Sequence, residues 1–384
     1  MEFWTVLPIT IVLCCTVFST TLGIETTYVV ALLGQDIQNG STTASIEYEL
    51  VIVNEESTQI TVIITSIDGP VKTLPVGSNA RVSHKLGHEM AMNGSEISNK
   101  SLEVQSNDGK FVLQVFTKRD GYIEGLLALP IQQMDGPNQV INRTVYEYVV
   151  ATFCAVGGYC QIAIAATENN TEVFIDIPKM VEEIAFCNKS SYFRLHRDTG
   201  FTMNKFDAFQ LETTYDLTGT VIFSFKPIAV FVGSRNVTNG NIVAHTMEQL
   251  VPSSHWGTEF VVQTLGSNGY GDILKIVSHY TSTVVTMSGF PSFNMTNRYQ
   301  NVTRRLSKGT RSHIQASHPI QVVQISGLSY ATKNESSTLT MTVVPSVQNA
   351  WNDFTVSCHD MQTSSQFVVV SGKKTQLKQL KLWI

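Results

Sequence analysis

The stretch that decides the fold is TVIFSFKPIAVFVGS, residues 220–234. It is rich in β-branched and aromatic residues, which favour the pleated, half-buried surface of a strand over a helix. Proline gives no N–H to a ladder and holds its φ fixed, so Pro227 belongs at the entry of a strand. Working outward, the chain repeats this texture on both sides. YELVIVN, QITVIITSI, KFVLQVFTK, YEYVVATFC, CQIAIAAT and TEVFIDI precede it, and EFVVQTL, STVVTMSG, IQVVQISGL, TLTMTVV and QFVVVSG follow, with turn residues between them. Only AHTMEQL and KMVEEIAF look briefly helical. Helices for parallel crossovers are missing, so the fold class read here is all-β.

A repeat underlies the strands. A T-x-V strand recurs around Val62, Val173 and Val284, in steps of 111 residues. A second feature lies around Val112, Pro227 and Pro319, and a proline-to-aromatic closure begins at Pro130, Pro252 and Pro345. Its last two copies contain Trp256 and Trp351, read as buried plugs whose indole N–H groups reach a carbonyl. The expectation is about three tandem, related β-sandwich-like modules at 24–153, 154–265 and 266–358. The alternative is the same modules closed into one pseudo-symmetric β assembly. Residues 359–384 echo the start of a fourth module in SSQFVVVSGKKT, or form a terminal strand and tail.

The first 23 residues are apolar, lack Lys, Arg and Asp, and carry Thr21 and Gly23 at the positions of a cleavage site. They read as a secretory signal peptide, with the mature chain starting at Ile24. Beyond it remain Cys154, Cys160, Cys187 and Cys358. In an oxidising compartment an even, sparse set reads as two disulfides of undetermined pairing. Cys154 with Cys160 is the favoured local closure, leaving Cys187 for Cys358, while Cys160 with Cys187 stays open. Sequons begin at Asn39, Asn93, Asn99, Asn142, Asn169, Asn188, Asn236, Asn294, Asn301 and Asn334. Glycans face solvent, so these mark loops and exposed edges of a secreted, extracellular glycoprotein.

Charged residues are 15% and hydrophobic ones 43%, the balance of a globular chain, and the net charge is −5. That charge offers no field for nucleic acid or an anionic membrane, and no later apolar run reaches the ~18 residues of a membrane span. No motif supports catalysis, a cofactor or a metal. His88-Glu89 lacks the second histidine of a metalloprotease helix, and no C-x-x-C is present. GSNGYGD (266–272) has no Lys-Ser/Thr after it and reads as a loop, and G-x-S-x-G is absent. His245 and Glu248 read as a capping or surface polar pair on one helical face. The basic end GKKTQLKQLKLWI reads as a solvated terminus.

Two blocks, DLTGTVIFSFKPIAVFVGS (216–234) and HTMEQLVPSSHWGTEFVVQTL (245–265), resemble the N-terminal domain of the IgG Fc-binding protein family. The likeness is specific because several unusual pieces occur in order, and it extends more weakly over residues 46–370. SRNVTNGNIVAH, where relatives often carry cysteines, has none and bears the Asn236 sequon. The resemblance implies an extracellular binding protein, associated with mucus and epithelial defence, whose partner is an extracellular protein or glycoprotein, mucin-like or immune. It assigns no Fc-contact residue. Larger members continue into cysteine-rich von Willebrand factor D and trypsin-inhibitor-like repeats; this sequence has none, which argues against a gel-forming or mucin-crosslinking role. The alternative reading is a structural extracellular matrix or adhesion component, a fragment of a longer mosaic protein, which a cysteine-rich continuation would favour. The remaining alternative is a β-sandwich hydrolase.

Overall fold

The computed structural model describes residues 26–35, 46–119, 122–133, 139–140, 143–154, 157–178, 184–188, 191–195, 199–239, 242–265, 271–327, 339–349, 353–357 and 379–383. The early strands are β1 (Thr26–Ala31), β2 (Glu47–Asn54), β3 (Ile60–Ser66), β4 (Gly69–Val76), β5 (Ala80–Leu86), β6 (Glu96–Ser98), β7 (Ser101–Ser106), β8 (Val112–Arg119) and β9 (Tyr122–Leu127). The middle strands are β10 (Gln139–Val140), β11 (Arg143–Thr144), β12 (Tyr146–Val149), β13 (Tyr159–Ala166), β14 (Thr171–Asp176), β15 (Ile184–Asn188), β16 (Ser191–Leu195), β17 (Thr199–Met203), β18 (Ala208–Thr213), β19 (Val221–Ser224), β20 (Ile228–Asn239) and β21 (Ile242–Gln249). The late strands are β22 (Gly257–Gln263), β23 (Asp272–Ser278), β24 (Thr283–Met287), β25 (Phe290–Met295), β26 (Asn301–Leu306), β27 (Arg311–Ser326), β28 (Thr340–Val343), β29 (Asp353–Ser357) and β30 (Gln379–Trp383). The fold is all-β.

One pairing scheme occurs three times, each time as two packed sheets. It is β1-β7-β3-β4 over β5-β2-β8-β9, then β12-β19-β14-β17 over β18-β13-β20-β21. The third copy is β22-β27-β24-β25 over β26-β23-β27-β28, with β27 serving both sheets. In the first two copies the chain breaks at the corner between sheets, at residues 107–111 and at 225–227 with Pro227. In the third it passes through without ending. The first part of β27 pairs β24 up to Ala316, and the part beyond Pro319 pairs β23 from Ile320. Pro319 thus marks the corner inside one long strand, where the change of partner leaves its missing N–H harmless. Short 3-10 turns at Ile131–Gln133, Ser253–His255 and Val347–Asn349 follow β9, β21 and β28.

The copies are joined through shared cores. Ile162 and Ile164 of β13 face the core of the second copy, whereas Ala163 and Ala165 face the core of the first. In β20, Ile228, Val230 and Val232 face one core while Ala229 and Phe231 face the other. A sheet buried on both faces reads as an unbroken apolar run, which is why CQIAIAAT does not alternate with polar residues. Small alanines on the back face let β1 approach. The arrangement repeats one step on: Leu274 and Ile276 of β23 enter the third core, and Ile273 and Val277 enter the second. Each fully buried Ile, Leu or Val adds about 1.5–3 kcal/mol, so these faces bind the copies strongly together. β6 also leaves the first copy to pair β18 and β15 of the second.

Three sequence expectations change. AHTMEQL is not helical; it lies in strand β21, where Ala244, His245, Thr246, Met247 and Gln249 are all buried. Of KMVEEIAF, Ile184–Phe186 belong to strand β15, and the residues before them lie outside the described set. The third T-x-V copy is displaced by one: Val62, Val173 and Val285 are fully buried, while Val284 is 45% exposed. A period of two makes a one-residue slip a change of face. The structure also adds a member unread in the sequence, Tyr28-Val29-Val30 of β1, to the strands that end the first two proline-to-aromatic closures, Tyr148-Val149-Val150 and Phe260-Val261-Val262. The Tyr28 hydroxyl donates to the Phe111 carbonyl at 2.5 Å and that of Tyr148 to the Ile228 carbonyl at 2.7 Å, each pinning a sheet corner.

Candidate functional site

The first block of the sequence fingerprint builds a loop between the second and third copies. In Asp216-Leu217-Thr218-Gly219-Thr220, the Asp216 Oδ1 accepts the Thr218 N–H at 3.0 Å and the Thr152 hydroxyl at 2.9 Å. The Leu217 N–H donates to Thr152 Oγ1 at 3.0 Å, and the Thr220 hydroxyl to the Leu217 carbonyl at 2.8 Å. Gly219 sits at φ +95, a conformation side chains rarely adopt, which explains the glycine. Onto this loop reaches Lys275 of β23, a buried lysine whose ammonium donates to Asp216 Oδ2 and, at 2.9 Å, to Thr218 Oγ1. Burial opposes ionisation of Asp216, but the charge of Lys275 outweighs it and holds the carboxyl below its usual range. Burial holds Lys275 itself below the ordinary lysine value.

The second block, His245–Trp256, is the meeting point of all three copies. β21 packs against β9 of the first copy and β28 of the third. The Leu129 N–H donates to Gln249 Oε1 at 2.8 Å, tying the first copy to the second. Thr246 and Ser234 share a hydroxyl contact of 2.8 Å, and a side chain at Gly233 would stand 2.0 Å from the Thr246 carbonyl oxygen. His245 and Glu248 are not a surface pair on a helix. His245 is 3% exposed, and burial, with the charge of Arg119, lowers its pKa to about 3. Burial pushes Glu248 up to about 8. Glu124 of β9, also buried, is raised well above the carboxylate range by burial and by Glu248. Burial thus shifts two neighbouring carboxyls at the junction toward their neutral forms.

A second polar cluster crosses between the second and third copies. Glu147 of β12 receives His279 Nε2 at 2.5 Å, Arg298 Nη2 at 3.2 Å, the Tyr299 hydroxyl at 3.1 Å and the Ser253 hydroxyl at 3.2 Å. Burial opposes the charge on Glu147, but the His279 hydrogen bond and the charges of His279 and Arg298 keep its pKa below the ordinary value. With its carboxylate saturated by four donors, the cluster works as a clamp between sheets. The serine is bonded to the carboxylate and not to the histidine, so this is not the geometry of a nucleophile activated by a base.

Beside β21 lies a pocket whose walls come from all three copies, among them Leu127, Leu129, Trp256, Phe260 and Ile320. It offers about 40 Å³ to the centres of water-sized molecules. Gln249, Gln321 and Ser346 also line it, at 2%, 2% and 4% exposure. The Gln249 Nε2, both amide atoms of Gln321 and the Ser346 Oγ find no hydrogen-bond partner among the described residues. A buried polar group left unpaired costs about 1–3 kcal/mol. Three residues that border this cavity thus carry four buried, unpartnered polar atoms among the described residues.

The residues singled out in the sequence fall as follows. Cys154 and Cys160 are disulfide-bonded; Cys187 lies in β15, and Cys358 is outside the described residues. Asn93, Asn99, Asn169, Asn294 and Asn301 are exposed. Asn188 and Asn236 lie in strands β15 and β20, and Asn39, Asn142 and Asn334 are outside the described set. Trp256 is 8% exposed and donates its indole N–H to the Val251 carbonyl at 3.4 Å, while one side of it faces the pocket. Trp351 is outside the described residues. Gln249, Gln321 and Ser346 escaped sequence reading, because glutamine and serine inside strands carry no motif. Among the described residues no cluster of three or more His, Cys, Asp or Glu is placed to hold a metal, and no helix is long and apolar enough to cross a membrane.

Comparison with known proteins agrees with the placement of these blocks. The family described as IgGFc binding protein matches residues 129–382, well over half of the chain, including β21 and β28 of the three-way junction but not β9. The human protein named IgGFc-binding protein is 23% identical over 250 residues, covering 63% of this chain but only 4% of its own length. The Asp216–Thr220 loop, the Glu248–Pro252 strand end and the Trp256 closure are interior features of the matched region, and on that match the chain belongs to the IgGFc-binding protein family.

Proposed function

We propose that this chain is a secreted, N-glycosylated, non-catalytic recognition protein whose partner is an extracellular protein or glycoprotein, mucin-like or immune. The observation that carries this reading is the family membership, since a relative bears the name of an Fc-binding protein. The apolar, signal-like leader and the five exposed sequon asparagines support the extracellular part. We set the unit boundaries near the turns Ile131–Gln133 and Ser253–His255, because β12 and β22 pair with strands that follow them. Shared cores then hold the three units at fixed spacing, so several weak contacts to one large ligand act together.

The test is direct. The full-length gene product, expressed in a secreting cell, is recovered from the medium and presented to immobilised IgG Fc, to a gel-forming mucin and to a non-glycosylated control protein. Saturable binding to Fc or mucin, with mass loss on treatment with an N-glycosidase, is the expected result. Intracellular retention without glycan, or equal binding to all three surfaces, overturns the proposal.

A further inference from the structure

We infer that the three-way pocket is a binding site for a small neutral amide, the acetamido group of an N-acetylhexosamine on a glycoprotein ligand. The inference rests on the proposed reading as a glycoprotein-binding protein and names the chemistry by which one site would act. It starts from the pattern of unpartnered atoms. Gln249 spends its Oε1 on the Leu129 N–H, which fixes the amide plane and leaves Nε2 as a donor. Gln321 offers one donor and one acceptor, and Ser346 a hydroxyl that does either. All three residues line one cavity, and none carries charge. An ionic ligand would find no buried counter-charge among them. A secondary amide matches the set: its carbonyl takes the Gln249 or Gln321 N–H, and its N–H gives to Gln321 Oε1.

The remaining walls fit the rest of the group. A methyl needs apolar contact, which Trp256, Phe260 and Ile320 supply. The indole is held by its bond to Val251, so its ring is a fixed surface. The room is that of a few water molecules, enough for an acetamido group and too little for a whole sugar ring. The sugar would remain at the rim, where Val251, His255 and Pro345 are half-buried. Glu248, whose carboxyl burial pushes up to about 8, lies on the same wall.

Titration of the glycosylated full-length protein with N-acetylglucosamine, N-acetylgalactosamine, glucose and free acetamide, followed by the indole N–H resonance of Trp256, tests the site. The two N-acetyl sugars should shift that resonance with a Kd on the order of millimolar, as a few contacts allow, and glucose should not. Acetamide shifting it as strongly as the sugars would show that the amide alone is recognised and that any amide-bearing ligand suffices, overturning the sugar assignment. The variant Gln321→Met keeps the volume and removes both unpartnered atoms. It should weaken the N-acetyl sugars at least tenfold while leaving the melting temperature equal or higher, an outcome a purely structural glutamine would not produce. No shift with any of the four compounds means that the cavity holds only water, and the inference fails. Retained glycoprotein capture by Gln321→Met would sink the pocket assignment alone; loss of capture by the unaltered protein would sink the broader function.

Discussion

At the scale of single residues, Trp256 and Glu248 carry opposite kinds of information. Trp256 is a large buried plug, and deleting it leaves a cavity at the point where three cores approach. Trp256→Ala should cost about 3–5 kcal/mol. Secreted yield and the urea midpoint would both fall, whereas a midpoint within error of the parent would show that the indole is not a core residue. Glu248 is legible as an acid but not as a buried one, because a strand and a helix place it differently. Its folded pKa of about 8 lies above the unfolded 4.5. Its contribution to stability is therefore fully present below about 4.5 and is lost as pH rises through 8. Glu124, raised by the same burial, acts in the same direction. Glu248→Gln should raise the melting temperature more at pH 9 than at pH 6. An equal effect at both values would show that the carboxyl titrates normally.

Among elements, the Asp216–Thr220 loop and strand β23 show how a short motif becomes a joint between units. Lys275 is buried while the Asp216 side chain is 51% exposed, so the two halves of the pair are not equivalent. Asp216→Ala leaves a buried ammonium with only Thr218 to receive it and should cost about 3 kcal/mol. Lys275→Met leaves a carboxylate that water can reach and replaces a buried charge by an apolar chain, so its effect should be small or stabilising. Chemical denaturation of the two variants checks the order, and a larger loss for Lys275→Met would reverse the account. The strands themselves are legible from β-branched composition, and Pro227 from its missing N–H. Two things are not. The T-x-V spacing selects Val284, but the buried residue is Val285, because spacing along the chain says nothing about which face of a strand turns inward. AHTMEQL has helical spacing but lies between two other strands, and tertiary packing overrides local preference.

For the whole molecule, shared cores predict shared stability. Residues of the third copy complete the core of the second, and residues of the second complete that of the first. Calorimetry should therefore show one cooperative transition, and separate transitions for separate units would contradict the sharing of faces. Non-reducing peptide mapping should recover Cys154 joined to Cys160; free thiols at both would refute it. The sequence alone determined the fold class, the family and the order of the repeats, since composition, turn residues and motif order are properties of the chain read in one dimension. It favoured Cys154 with Cys160 because a short loop limits how far two residues can part, but it left Cys160 with Cys187 open, and the structure holds the first pair. Only the tertiary structure decided that Gln249, Gln321 and Ser346 meet. They come from β21, β27 and the turn after β28, and what brings them together is the burial of two sheet faces at once. No periodicity along the chain records that packing, because a residue's second face is set by whichever unit packs against it.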